Sequence, residues 1–202
     1  MMNYDTADRA VRAMNRENLK TFGRLKTRLM KADELHIIRE VGNAYDELLG
    51  LAKRWFLVIG REAYAQGMKD ANRRKRNAID RDWILDWLEE TDFVTLYKFA
   101  TEWERKKARL IEALPVTPDR GREIDKALKE WTRQIAQASI DITDDATKEA
   151  YRDAGVREVE WVVPVHDARV CDTCEDRDGV LYRIDEVPVK HPNCRCILIP
   201  VL

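Results

Sequence analysis

The chain has 202 residues, 45% of them apolar and six of them Trp, enough to bury a sizeable core, which excludes a disordered polymer. Charged residues make up 36%, above the roughly 25% usual for soluble domains, yet 36 Lys and Arg nearly cancel 37 Asp and Glu to leave −1. Global charge therefore selects no particular partner, and no apolar run approaches the ~20 residues needed to cross a bilayer.

The opening MMNYDTADRAVRAM sets acids and bases where a signal peptide needs its apolar stretch, which predicts a chain made and kept in a reducing cytosol. No proline occurs before Pro115, and apolar residues recur at helical spacing along that stretch. Leu35, Ile38, Tyr45, Leu48, Leu49, Ala52, Trp55, Phe56, Ile59 and Ala63 predict one long amphipathic helix from about Asp33 into the low seventies. Gly42, Gly50, Gly60 and Gly67 lie inside it, each costing up to ~1 kcal/mol relative to Ala, and mark candidate kinks or close helix contacts.

A second helical stretch is expected from Asp80, with Trp83, Trp87 and Leu88, a break near Thr91-Asp92, and a continuation through Leu96, Ala100, Trp103, Leu110 and Leu114. Pro115 and Pro118 stop it. From Asp119 the 3.6 period resumes with Ile124, Leu128, Trp131, Ile135 and Ala138. Thr143 or Asp144 is expected to cap a short last helix, with Gly155 at its end.

After Gly155 the period changes. In VREVEWVVPV, Val159, Trp161 and Val163 alternate inward, a strand signature; Asp178-Gly179 predicts a turn feeding VLYRI, and CILIPVL is a third short β segment. The fold class is therefore mainly α, with long amphipathic helices, and a small C-terminal β module. The domain expectation is an elongated helical body over 1–155 and a module over 156–202. A module that small needs a staple beyond apolar burial.

The stretch CDTCEDRDGVLYRIDEVPVKHPNCRC holds every cysteine in the chain and one of its three histidines. Four cysteines in a secreted chain suggest disulfides, but in a reducing cytosol a tight Cys/His cluster favours a metal. Cys171 and Cys174 are spaced so that one turn aims both sulfurs at one ion, and His191 and Cys194 repeat that spacing. Together they make a tetrahedral Cys₃His zinc site, a structural Zn²⁺ that staples the module. Cys196 complicates the choice, because in an extended CRC the two sulfurs point to opposite faces. It is left as a packed thiol or an alternative fourth ligand.

The run from Gly155 to the end resembles the C-terminal domain of phage head morphogenesis proteins, the minor head proteins typified by the F protein of phage Mu. The residues that carry the resemblance are Gly155, Val156, Trp161, Asp167, Arg169, Val170, Cys171, Cys174, Asp178, Gly179, His191, Pro192, Cys194, Arg195 and Cys196. The chain departs from that family in one place: an Arg-Thr-Glu element often precedes the Gly-Val, whereas here the helix reads AQASIDITDDATKEAYRDAG. The resemblance implies a virion component: a minor capsid protein that joins the procapsid during assembly in the host cytoplasm. It would sit at the portal vertex or capsid interior against portal or major capsid protein, in some phages affecting DNA packaging or ejection. It brings no enzymatic activity, and a zinc whose positions are all filled by protein ligands agrees.

Two rival classes remain. A zinc-stapled nuclease of the His-Asn-His type would draw on His166-Asp167 and Asn193, but only ILIPVL follows Cys196, so no helix supplies its second metal-binding group. A DNA-binding accessory protein would use Arg73, Arg74, Lys75 and Arg76 on phosphates, although basic side chains at a helix end are expected for dipole reasons alone. An elongated helical body should also leave an exposed apolar stripe, a mark of attachment to a larger assembly.

Overall fold

The computed structural model describes residues 5–71, 95–163, 170–191, 194 and 196–201. The chain runs α1 (Asp5–Lys31), α2 (Ile37–Asp70), α3 (Thr95–Val116), α4 (Arg120–Asp153), β1 (Glu158–Val162), α5 (Asp172–Glu175), β2 (Leu181–Arg183) and β3 (Ile197–Val201). Mainly α with a small antiparallel sheet near the C-terminus is the class that the periodicities predict. The start of the second helix with Trp83, Trp87 and Leu88, the break at Thr91-Asp92, and Arg73, Arg74, Lys75 and Arg76 all lie outside the described residues.

By their contacts the described residues form two compact units, one of 9–58 and 95–136, the other of 5–8, 59–71 and the described residues between 137 and 201. In the first, Leu25 and Leu29 of α1, Ala44, Tyr45 and Leu48 of α2, Leu110 of α3 and Ile124 and Trp131 of α4 close around a void of only about 10 Å³. That is at the lower limit for a water, so this core is packed to interior density. Polar groups clip its rim. Glu17 accepts from the Trp55 indole and from Arg54, both at 2.8 Å, and Lys26 reaches Asp125 at 2.6 Å.

Three local expectations are corrected here. The α1 helix precedes the one predicted from Asp33, and Met14, Leu25 and Leu29 bury its apolar face. The long helix packs through Ile37 and Val41, while Leu35 is 89% and Ile38 65% exposed. The cause is the cap: Asp33 accepts from the backbone N–H of His36 at 2.9 Å and of Ile37 at 3.0 Å, so Leu35 falls in the entry turn and the buried stripe is phased from Ile37. Finally, there is no short last helix capped by Thr143 or Asp144. Asp119 caps α4 through Oδ1 on the Arg122 N–H at 3.0 Å, and α4 then runs unbroken to Asp153. Thr143 turns its hydroxyl back on the Ser139 carbonyl at 2.6 Å, which lets a capping-type residue sit inside a helix.

In the second unit, Gly67 brings α2 against α4: a Cβ there would lie 2.8 Å from Ala150 Cβ and 3.2 Å from the Thr147 carbonyl oxygen. Gly155, at φ +79°, ends α4 as expected. Its N–H bonds Arg152 O and the Val156 N–H bonds Tyr151 O, both 2.9 Å, the paired bonds of a Schellman stop. The chain thereby turns into β1, the centre of a sheet ordered β2-β1-β3, with Glu158 opposite Arg183 and Trp161 opposite Leu198. Val159 and Trp161 face inward with no exposure, as the alternation predicts. They pack with Ala71, Tyr151, Ile184, Leu198 and three of the cysteines.

Candidate metal centre

The two halves of the cysteine stretch share one backbone feature, an N–H bonded to the carbonyl three residues back. Cys171 stands before α5, where the N–H groups of Cys174 and Glu175 bond its carbonyl at 2.8 and 3.0 Å, so its sulfur and that of Cys174 converge. On the other side the Cys194 N–H bonds the His191 carbonyl at 3.0 Å. Between the two turns the chain is fastened to β1 and the residue after it. Gly179, at φ +74°, donates to the Trp161 carbonyl at 2.8 Å, Trp161 donates back to Val180 O at 2.9 Å, and Asp178 accepts from the Val163 N–H at 2.7 Å. Arg177 then lies over the Trp161 ring, 5.3 Å from its centroid, and Tyr182 meets that ring edge-on at 6.3 Å.

The five predicted donors come together in two overlapping groups. Cys171, Cys174 and His191 form one, and Cys174, Cys194 and Cys196 the other, each with its donor atoms within 4.8 Å of one another. His191 Nε2 lies 3.0 Å from the Cys174 sulfur and 3.3 Å from that of Cys171, and the Cys174 and Cys194 sulfurs are 3.7 Å apart. That last distance is far beyond an S–S bond of ~2.05 Å, and all four cysteines are free.

Donor chemistry and spacing fit a tetrahedral ion. Metal–sulfur bonds of ~2.3 Å at tetrahedral angles set sulfurs about 3.8 Å apart and sulfur and imidazole nitrogen about 3.6 Å apart. The 3.7 Å sulfur pair meets this, whereas the nitrogen contacts, at 3.3 and 3.0 Å, are tighter, the second by more than half an ångström.

One part of the sequence reasoning fails. Cys196 does not point away from Cys194: both sulfurs join Cys174, and both side chains are buried. Regular extension begins only with β3 at Ile197, so the strict two-sided alternation of a strand does not govern this pair.

Burial raises the Cys174 thiol well above its ordinary range, and the hydrogen bonds its S–H can donate to the neighbouring cysteine sulfurs add to the rise. Burial likewise lifts Cys196. Packed this closely, uncharged thiols are the stable form of both until a cation compensates the thiolate charge. The Trp161 indole N–H, buried in the same core cluster, acts the other way on Cys196, favouring its thiolate.

Residues 104–199 match the family model described as Phage Mu protein F like protein. Over this stretch, just under half of the chain, the sequence is similar to that family. Neither a curated protein nor a solved structure matches the chain. The F-like region takes in the end of α3, all of α4, the sheet and every donor of the cluster.

Of the other residues singled out in the sequence, Val170 is half-buried against the cluster core. His166, Asp167, Arg169, Pro192, Asn193 and Arg195 lie outside the described residues. Sequence reasoning missed a charged group beside the donors. Asp144, on α4, takes Lys148 Nζ at 2.7 Å and Lys190 Nζ at 2.6 Å, with all three side chains largely buried. The only local signal was the acidic pair Asp144-Asp145 four and three residues ahead of Lys148. No described helix is long and apolar enough to cross a membrane.

Proposed function

We propose that this chain is a minor head protein of a tailed phage or prophage, a structural component that attaches to the portal or inner capsid wall during head assembly. The observation that carries the reading is the F-like match over 104–199, on a region that holds both donor groups. Zinc is the metal of choice for three or four thiolates and an imidazole at tetrahedral spacing. Two three-donor groups share Cys174, so a fourth protein ligand lies close to either group, and on this reading the ion staples the module, with protein ligands in all four positions and no enzymatic role. The exposed pair Leu35 and Ile38, at the entry to α2, offers the helical part an apolar contact for attachment.

Co-expression with the portal protein and, separately, with the major capsid protein of the same genome tests this. Co-purification with one of them is expected, and a chain ending at residue 155 assigns the contact to helices or module. A chain that neither protein retains, and that is missing from purified heads, overturns the reading.

A further inference from the structure

The two donor groups, which share Cys174, hold five ligand atoms between them where a tetrahedral ion takes four, and something must decide which stays out. His191 ends a segment, residues 187–191, that belongs to no helix or strand. Its predecessor, however, is tethered. Lys190 Nζ sits 2.6 Å from Asp144 Oδ1, with the side chains 11% and 8% exposed, and Lys148 holds the other carboxylate oxygen from within α4. A charge pair this dry is rigid, since separating it would leave a buried charge uncompensated. The segment is thus pinned to α4 one residue before the imidazole. His191 Nε2 is correspondingly pressed onto two sulfurs at 3.0 and 3.3 Å.

We propose that the Asp144–Lys190 ion pair is a positioning device that selects the nitrogen ligand, holding His191 in the metal shell with Cys171, Cys174 and Cys194 and leaving Cys196 outside it. The inference rests on the metal reading above. Without the tether the loop regains its freedom and Cys196, buried and already within reach of Cys174, takes the vacated position to give a four-thiolate site.

The test is the cobalt-substituted full chain, in which the intensity of the sulfur-to-cobalt charge-transfer band counts thiolates. The natural sequence should show three. Lys190→Met, which leaves Asp144 still paired with Lys148, should shift the band to four, and Lys190→Arg should restore three. Lys148→Met disturbs the same carboxylate without touching the loop and should leave the count at three. Adding Cys196→Ser to Lys190→Met should remove the substitute and lower cobalt affinity about 10- to 100-fold. A Lys190→Met chain with the natural spectrum and affinity overturns the inference. So does one that stays unfolded at saturating metal, because the pair then serves folding at large. Failure of the natural chain to bind cobalt or zinc at all would instead overturn the metal reading.

Discussion

The Tyr151 hydroxyl on α4 donates to the carbonyl of Leu198 on β3 at 3.0 Å, in a buried bond that joins the long helix to the last strand across 47 residues. Neither partner has any sequence signal for the other. Tyr151→Phe keeps the ring in the core and removes only this bond, so it should lower stability by about 1 kcal/mol. Urea unfolding of the two chains measures it. Equal midpoints would show that the bond contributes nothing net.

Gly67 and Gly42 should respond to alanine with opposite signs. In an exposed helix interior Gly→Ala gains up to ~1 kcal/mol, and an added Cβ on Gly42 meets nothing within 4 Å. On Gly67 the Cβ collides with α4, where overpacking costs about 1–3 kcal/mol and outweighs the propensity gain. Gly42→Ala should therefore raise the unfolding midpoint and Gly67→Ala should lower it. A rise in both would mean that α2 and α4 can move apart freely.

Metal removal should unfold the module and spare helices. Structural zinc supplies ~10 kcal/mol or more in small zinc peptides, because the ligands must be deprotonated and the site is absent in the unfolded chain. Elemental analysis of reduced protein should find one zinc per chain, and a chelator should abolish the near-ultraviolet signal of the buried Trp161 while most helical signal persists. Cys174→Ser should be the most damaging single cysteine change, since Cys174 alone belongs to both donor groups. Binding should also release protons, including that of the Cys174 thiol that burial keeps protonated. Affinity should therefore fall with falling pH, as calorimetry in buffers of different ionisation enthalpy would read.

Two aspartates on one helix should titrate with opposite effects. Burial would raise the Asp144 carboxyl, but the Lys190 and Lys148 ammoniums outweigh it and hold it below the usual carboxylate range. Its contribution is present above the unfolded value near ~4 and is lost as pH falls through the lower folded value. At Asp141 burial prevails over the hydrogen bond from Gln137, and the carboxyl is raised. Ionising it in the folded state is unfavourable, so Asp141→Asn should stabilise at neutral pH, with the gain vanishing on acidification. Asp144→Asn should destabilise at neutral pH, the loss shrinking only in strong acid. Stability measured against pH for both variants would show the two trends, and parallel curves would contradict them.

The sequence by itself determined the helix periods of α2 and α4, the stop at Gly155, the switch to alternation at Val159 and Trp161, and the donor types at Cys171, Cys174, His191 and Cys194. These are local properties: a 3.6 or 2.0 period, a left-handed glycine and an i, i+3 chelating turn are each set by neighbours along the chain. Only the tertiary structure decided that Ile37 rather than Leu35 starts the buried stripe, and that Cys196 faces the same cluster as Cys194. It alone shows that Asp144 is a buried partner of Lys190 rather than a helix cap. Each of these depends on a group far away in sequence, and the free energy of burying a charge or a thiol is fixed by what surrounds it, not by what precedes it.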